Sequence, residues 1–180
     1  MTSSIIYNDN NISDNEITRV VKRAKVLIEN DNKEIAIAYS HNNYFFIGGH
    51  VENDEDDFVC LDREIKEETG ISLPLNNIKR FFEIVYYNKD YPNKGDCSKY
   101  ISTYYYLKYD LNVDMNNMNL TNDEIDGNFK VCFIDKDKII DVVKNSLKTC
   151  TRENVVKDTI NVLEYYLNNR LKIQKKVYFL

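Results

Sequence analysis

The chain has 180 residues and a formal net charge of −5, with 43% hydrophobic and 29% charged residues. This length suits one domain with a core that needs no disulfide or metal staples, and the composition is ordinary for a globular protein. No apolar run approaches the roughly 20 residues of a membrane span. The N-terminal MTSSIIYNDNN also lacks the basic-then-apolar layout of a signal peptide. We therefore expect no membrane partner.

The negative charge is concentrated in one segment. Residues 51–68 hold nine acids and two bases, a local net charge of −7, which leaves +2 for the rest of the chain. A protein that binds long nucleic acid along the phosphate backbone needs an extended basic surface. The pattern therefore argues against a long nucleic acid as partner. It favours a site where metal ions bridge protein carboxylates and a small anionic substrate.

The cysteines show no CxxC or other metal-type spacing. They are Cys60, Cys97, Cys132 and Cys150. Unpaired cysteines without such spacing are typical of a reducing compartment. We therefore expect free thiols and a cytoplasmic protein.

The first 50 residues predict a lead-in and three strands. Residues 1–17 are rich in Asn, Asp and Ser, which predicts a flexible, poorly ordered segment before the domain. Apolar and β-branched runs then predict strands at 20–28, 34–39 and 44–47. A turn at 29–33 joins the first two strands, and the third strand ends at a pair of glycines.

A helix is predicted after these glycines. Asp54 is its expected N-cap, and Gly70 is the residue expected to end it. Phe58, Leu61 and Ile65 stand at i, i+3 and i+7 and form an apolar stripe. One face of this helix is therefore expected to pack while the neighbouring face carries acidic residues.

The second half predicts three strands and two helices within one domain, residues 18–171. The strands are expected at 78–87, 100–109 and 129–134, and the helices at 137–147 and 152–171. Pro92 and Gly95 indicate a loop at 88–98. The polar segment 112–128 is expected to be a flexible loop over one edge of the site. The tail, residues 172–180, is basic and then apolar, and is expected to form an edge strand or a contact.

Three carboxylates lie close together on the first predicted helix. Glu64, Glu67 and Glu68 stand at i, i+3 and i+4, so at about 100° per residue they converge within an arc of roughly 100°. Like charges so close repel each other, and a hard divalent ion such as Mg²⁺ would remove that cost. Glu68 also borders the apolar stripe, where an unpaired charge is unfavourable. The residues alone therefore favour a cation site, with a solvated acidic helix face as the alternative.

The spacing around these glutamates resembles the Nudix box in full. The stretch reads GHVENDEDDFVCLDREIKEETGI, and its matching fixed positions are Gly49, Glu55, Arg63, Glu64, Ile65, Glu67, Glu68, Gly70 and Ile71. The resemblance implies an α/β fold, the α/β/α sandwich of Nudix proteins with a mixed β-sheet between helices. It also implies a MutT-like hydrolase that cleaves a diphosphate bond in a nucleoside diphosphate linked to another moiety. The substrate would be a nucleoside triphosphate or a nucleotide conjugate.

The resemblance also implies the roles of residues in the box. Glu64, Glu67 and Glu68 correspond to the ligands of Mg²⁺, with Mn²⁺ as a substitute, and one of them is expected to help deprotonate the attacking water. Arg63 and Glu55 correspond to the positions that hold these glutamates in place.

Further metal ligands are implied outside the helix. The Gly48 carbonyl corresponds to the family's backbone ligand. Many family members add a carboxylate from a downstream loop, and here Glu124 is the candidate, with Asp123 and Asp126 as alternatives. The family's frequent Pro-Gly-Gly reads Ile47-Gly48-Gly49 in this chain, which changes the turn but not the ligands.

Three residues are candidates for substrate contacts: Arg23, His50 and Tyr104. Arg23 shares the first long strand with Lys22 and Lys25, and basic residues there are usually solvated. His50 is expected to line the site and not to act as a base. In the run Tyr104–Tyr106 neighbours alternate across a strand, so at least one is expected in the core and another is available to stack on a base.

The substrate is not fixed by these features beyond a small nucleotide. Two alternatives stay open: a non-catalytic nucleotide-binding Nudix sensor module, and a 5′-end RNA pyrophosphohydrolase, which the acidic charge disfavours. Many family members form homodimers, and the resemblance leaves that assembly open.

Overall fold

Residues 2–175 are described by a computed structural model, the last of them by its main chain alone. The strands in this range are β1 (Ser3–Tyr7), β2 (Arg19–Glu29), β3 (Glu34–Ser40), β4 (Asn43–Phe45), β5 (Lys79–Lys89), β6 (Cys97–Lys108) and β7 (Lys130–Asp135). The α-helices are α1 (Asp57–Thr69), α2 (Asn122–Asp126), α3 (Ile139–Ser146) and α4 (Glu153–Lys175). Short 3₁₀ turns lie at Asp14–Glu16 and Leu75–Asn77.

Over the described range, the strands form one seven-stranded mixed sheet. The order is β1-β5-β6-β2-β3-β4, and β7 also pairs with β3. Strand β1 runs parallel to β5 and β2 parallel to β6, whereas the other pairs are antiparallel. This mixed arrangement places the long strands β5, β6 and β2 side by side at the centre.

The sheet has a hydrophobic core on each face. On one face, α3 and α4 pack on strand residues that include Leu27, Ile37 and Ile84. On the other face, α1 packs on Val26 and Ala38. Apolar residues alternate along β2 between these two cores, as expected for a strand that is covered on both sides. The predicted α/β/α sandwich is therefore confirmed.

Helix α1 begins two residues later than predicted. Its N-cap is Asp56, whose side chain accepts hydrogen bonds from the N–H groups of Phe58 and Val59, both at 2.9 Å. The expected N-cap, Asp54, lies in the turn before the helix, so that prediction is wrong. The end at Gly70 is confirmed: the residue has φ 76°, the left-handed region that favours glycine at a helix C-terminus. Phe58, predicted for the buried stripe, is 47% exposed.

The N-terminal segment is more ordered than its composition predicted. Residues 3–7 form β1 and pair in parallel register with β5. The Tyr7 ring stacks on Tyr86 with centroids 4.6 Å apart, and the Ser3 and Tyr165 hydroxyls lie 2.7 Å apart. The predicted lead-in over 1–17 is therefore wrong for this strand, because contacts distant in sequence stabilise a segment whose own composition does not.

Three further segments differ from the predictions. The segment 112–128, predicted as a flexible loop, contains helix α2. Helix α4 continues through 172–175, so the start of the predicted tail is helical, and residues 176–180 lie outside the described range. Strands β5 and β6 extend into the predicted loop 88–98.

No helix between residues 2 and 175 is both long and apolar enough to cross a membrane. The four cysteines are free.

A buried carboxylate attaches the C-terminal part of α4 to the sheet. Glu29, at the end of β2, is 1% exposed. Its carboxylate accepts hydrogen bonds from the hydroxyls of Tyr106 (3.2 Å) and Tyr166 (2.5 Å). It also accepts from the guanidinium of Arg170 (2.6 Å) and the amide of Gln174 (2.8 Å). These bonds hold the long helix against the same strand that carries part of the site.

We expect Glu29→Gln to lower the free energy of unfolding by about 3 kcal/mol, because removing one member of a buried ion pair leaves the other charge without compensation. Urea denaturation measures this loss. Glu153→Gln is the matched control: Glu153 pairs with Lys157 on the exposed side of the same helix, and the expected change is below about 0.5 kcal/mol. Equal losses in the two variants would contradict the anchoring role of Glu29.

Candidate active site

The site is built around the turn between β4 and α1. Gly48 has φ 119°, and a Cβ there would lie 2.3 Å from the carbonyl oxygen of Ala24. A Cβ at Gly49 would lie 2.2 Å from the carboxylate of Glu64. Gly48 therefore requires glycine, since a side chain there would push the turn away from the main chain of β2, whereas a side chain at Gly49 would displace the Glu64 carboxylate.

Glu68 lies directly beneath this turn. It is 3% exposed, and its Oε2 accepts a hydrogen bond of 2.9 Å from the N–H of Gly48. Burial raises the pKa of Glu68 to about 8, against the opposing effects of the Gly48 hydrogen bond and of the positive charge of Lys25. The negative charges of Glu64 and Glu124 raise this pKa further. A cation bound beside Glu68, in addition to Lys25, would therefore stabilise the ionised form of its carboxylate.

Arg63 connects three of the other acids. Its Nε and Nη2 bind the two carboxylate oxygens of Glu55 at 2.7 and 2.9 Å, and Nη1 lies 2.7 Å from Glu64 and 3.3 Å from Glu67. Nη2 also donates to the carbonyl of His50 at 3.0 Å. Hydrogen bonding from Arg63 lowers the pKa of Glu55 to about 2. Burial raises the pKa of Glu64, and Arg63 opposes that effect.

A cavity of about 450 Å³ opens beside the turn. Glu64 and Glu68 line it, together with Gly48 and Gly49. Glu67 is not part of the lining, and its carboxylate is held by Arg63. The structure therefore brings two of the three predicted metal-binding glutamates to the cavity wall.

Two cations of strand β2 line the same cavity. The guanidinium of Arg23 lies 3.2 Å from His50 Nε2 and 5.7 Å from the centroid of the Tyr100 ring. The ammonium of Lys25 lies 3.3 Å from the carbonyl oxygens of both Phe46 and Gly48. Among the described residues, neither cation has a carboxylate oxygen within 4.0 Å. These positive charges are therefore available to an anionic ligand.

The position of Lys25 differs from the expectation that basic residues of the first long strand are solvated. The alternation of a strand would have found it, because Arg23, Lys25 and Leu27 share one face of β2. His50 lines the cavity as expected, and desolvation of its ring and the charge of Arg23 lower its pKa.

The downstream carboxylates divide into two groups. Glu124 and Asp123 line the cavity, whereas Asp126 does not. The Glu124 carboxylate accepts hydrogen bonds from the Thr121 N–H (2.6 Å) and hydroxyl (2.8 Å), and so closes the capping box of α2. Asp123 pairs with Arg152 at 3.8 Å. The structure thus places the first candidate of the three at the cavity.

No tyrosine of the run 104–106 is open for stacking. Tyr104 lines the cavity but is 3% exposed, and it packs edge-on against Phe46. Tyr105 donates to Asp57 at 2.6 Å on the opposite face of the sheet, and Tyr106 bonds to Glu29. The prediction of one core residue is confirmed, and all three are buried.

Helix α4 forms a wall of the cavity that the sequence did not reveal. Asp158 lines it and accepts a hydrogen bond of 2.5 Å from the hydroxyl of Tyr86. Burial raises the pKa of Asp158. Arg152, Val155 and Thr159 also line this wall. The helical pattern predicted the helix itself, but no local signal shows which side chains of a helix reach a distant turn.

The donor set fits a divalent cation. Between residues 2 and 175, no three Asp, Glu, His or Cys side chains are already grouped as a metal site. However, the carboxylates of Glu64 and Glu68 and the carbonyl of Gly48 meet at one cavity, and these are the oxygen donors that Mg²⁺ prefers. Mg²⁺ usually completes its shell with waters and substrate phosphates, so a complete protein cage is not required.

We expect the Glu55–Arg63 pair to stabilise the protein at neutral but not at acid pH. The pKa of Glu55 is about 2 in the folded protein and 4.5 without its partners. The stabilisation is therefore fully present above pH 4.5 and is lost as the pH falls from there toward 2. The difference in free energy of unfolding between wild type and Glu55→Gln should thus be larger at pH 7 than at pH 3 in urea denaturation.

The matched control introduces Glu55→Gln into an Arg63→Ala background, where the pH-dependent difference should largely disappear. A difference that is the same at both pH values in the wild-type background would contradict this ion pair.

Comparison with known proteins places the chain in a family. The model of the NUDIX domain matches residues 20–148, more than half of the chain and inclusive of the motif at 49–71. A MutT protein from Bacillus halodurans superposes with a TM-score of 0.54 at 12% identity, over 79% of this chain and 82% of that one. A MutT protein from Methanosarcina mazei Go1 gives a TM-score of 0.50 at 18% identity, over 82% and 94%.

At these sequence identities, the two structures show that this chain has the same fold and nothing more. No curated protein matches the chain in sequence. The domain match covers most of the sheet, helix α1 and the glycine turn. The chain therefore belongs to the Nudix hydrolase family.

Proposed function

We propose that the protein is a Mg²⁺-dependent hydrolase that cleaves a diphosphate bond in a small nucleotide, with Mn²⁺ as a substitute ion. The substrate class is a nucleoside diphosphate linked to another moiety, such as a nucleoside triphosphate or a nucleotide conjugate. One observation carries the proposal: a single cavity is lined by the acids Glu64 and Glu68 and by the cations Arg23 and Lys25, which have no carboxylate partner within 4.0 Å in the described part of the chain.

This combination of charges suits a diphosphate and a metal ion together. Nudix hydrolases generally use divalent metal ions and act on small nucleotides. Hydrolysis of a diphosphate requires neutralising a dense anion and placing a water for attack. When bound, the divalent cation would polarise a phosphoryl oxygen and lower the pKa of a water.

The protein's own groups would hold and orient the reacting partners. We propose Glu64, Glu67, Glu68 and the Gly48 carbonyl as the ion's ligands, and Glu124 as an additional one from across the cavity. Arg63 fixes two of these carboxylates through the hydrogen bonds described above, and Glu55 in turn fixes Arg63. Such supporting bonds keep ligand geometry tight.

Other lining residues would contact the substrate. Arg23 is proposed to bind a phosphate, because its guanidinium lines the cavity beside His50 and the Tyr100 ring and has no carboxylate within 4.0 Å among the described residues. His50, with its lowered pKa, favours the neutral form that accepts a hydrogen bond from Arg23. Tyr104 would contribute a small part of the cavity wall and not a stacking platform, since it is 3% exposed.

The function is tested by turnover of Glu67→Gln beside wild type in Mg²⁺. The panel should contain canonical and oxidised nucleoside triphosphates, ADP-ribose, nucleotide sugars and dinucleoside polyphosphates, with products identified by chromatography. We expect kcat to fall by about 10³-fold, because the variant loses a charge that stabilises the transition state. Asp62→Asn, which changes an exposed acid on the same helix, is the control and should retain wild-type turnover.

Near-wild-type activity of Glu67→Gln would contradict the assigned role of the motif. Tight nucleotide binding by wild type, without metal-dependent turnover of any substrate in the panel, would contradict the proposed activity and favour a nucleotide-binding sensor module.

A further inference from the structure

The ammonium of Lys25 binds the same backbone oxygen that is proposed as a metal ligand. Its Nζ lies 3.3 Å from the Gly48 carbonyl oxygen and 3.3 Å from that of Phe46. The side chain is half-buried and lines the cavity with Glu64 and Glu68. A basic side chain therefore stands inside the proposed cation site.

Several contacts keep this charge in place. Besides the two carbonyls, Nζ lies 5.4 Å from the centroid of the Phe45 ring, within the range of a cation–π interaction. The main chain of Lys25 is fixed in β2, in register with Tyr104 of β6. Burial lowers the pKa of Lys25, and the negative charges of Glu68 and Glu64 oppose that effect and favour the ammonium. Lys25 thus shares these two carboxylates with any ion that binds there.

A divalent ion on the Gly48 carbonyl would lie a few ångströms from this ammonium. Like charges at such a distance repel strongly where water is sparse. The repulsion would weaken binding of the ion alone. A diphosphate in the cavity would reverse the effect, because its oxygens can contact both the ion and the ammonium and neutralise their combined charge.

We propose that Lys25 couples binding of the divalent cation to binding of the substrate's diphosphate. The side chain disfavours the cation alone and favours the cation together with the anion. By thermodynamic linkage, the diphosphate must then bind more tightly in the presence of the cation by the same factor. This inference rests on the proposed function, since it takes Glu68 and Gly48 as ligands of the ion.

The test measures Mn²⁺ affinity from the electron paramagnetic resonance signal of free Mn²⁺. Titrations are run without and with imidodiphosphate, a diphosphate analogue with a nitrogen bridge, and are corrected for the Mn²⁺ that this anion binds in protein-free solution. For wild type, we expect imidodiphosphate to tighten Mn²⁺ binding roughly tenfold or more, within the range typical of coupled sites.

Variants at Lys25 separate its charge from its hydrogen bonds. We expect Lys25→Met to bind Mn²⁺ alone about tenfold more tightly than wild type, and to gain less from imidodiphosphate, when the coupling has the usual size. Lys25→Gln keeps a donor for the carbonyls without the charge and should behave in the same way. Lys22→Met removes an exposed charge from the same strand and should match wild type.

Two outcomes would overturn the inference, and Glu68→Gln distinguishes them. If Glu68→Gln weakens Mn²⁺ binding while both Lys25 variants keep the wild-type affinity and coupling, only the role of Lys25 is wrong. If Glu68→Gln binds Mn²⁺ as wild type does, the proposed cation site fails and the role of Lys25 fails with it. Circular dichroism spectra of the variants confirm that each is folded before titration.

Discussion

The buried carboxylate of Glu68 is the constraint on which the arrangement of the site depends. A buried carboxylate needs hydrogen bonds and a compensating charge. The Gly48 N–H supplies one hydrogen bond at 2.9 Å, and this bond fixes helix α1 against the end of the preceding strand. The turn can come so close only because Gly48 has no Cβ and adopts a positive φ. Helix, turn and strand β2 are therefore positioned together by one side chain.

The remaining charges are arranged around this carboxylate in two groups. Arg63 gathers Glu55, Glu64 and Glu67 on the helix side, and this group of one base and three acids keeps a net negative charge. Arg23 and Lys25 bring positive charge from β2 without acidic partners of their own among the described ion pairs. The cavity between them thus offers both signs of charge, which suits a metal–diphosphate complex better than either component alone.

Strand β2 also connects the cavity with the far end of the molecule. Its last residue, Glu29, holds the C-terminal half of α4 through buried hydrogen bonds. The N-terminal half of that helix contributes Asp158 and other side chains to the cavity wall, and Arg152 joins them from just before the helix. The anchor at Glu29 is therefore part of what keeps the wall in position, although it lies at the opposite end of the strand.

Local spacing explains what could be predicted from the sequence. The box residues lie within 23 positions on one turn and one helix, so their spacing alone places the acids together. The strands and the longer helices follow from periodicity, whereas the α/β/α layers were implied by the resemblance to Nudix proteins. The N-cap at Asp54 was predicted from its residue type, which does not show where the first helical turn begins. Glu52–Glu55 form a turn that Arg63 holds through Glu55. The helix starts after this turn, so Asp56 is the N-cap.

The features that escaped prediction depend on contacts distant in sequence. Strand β1 lies within a segment, residues 1–17, that is rich in polar residues, and it is stabilised by β5 and α4, more than 70 residues away. Asp158 reaches the cavity through a helix whose pattern gives only its buried stripe. Strand alternation places Lys25 on the same face of β2 as Leu27, but its contact with the Gly48 carbonyl depends on a turn 23 residues away.

The free energy of unfolding of wild type and Glu68→Gln, measured in urea at pH 9 in EDTA and again in Mg²⁺, tests the central claim most directly. The pKa of Glu68 is about 8 in the folded protein, so wild-type stability falls as the pH rises from about 4.5 to 8. Glutamine does not ionise, so the Glu68→Gln variant does not lose stability in this way. The account predicts that the variant is at least as stable as wild type in EDTA, and that Mg²⁺ stabilises wild type alone. Equal stabilisation of both proteins by Mg²⁺, or a much less stable variant in EDTA, would contradict it.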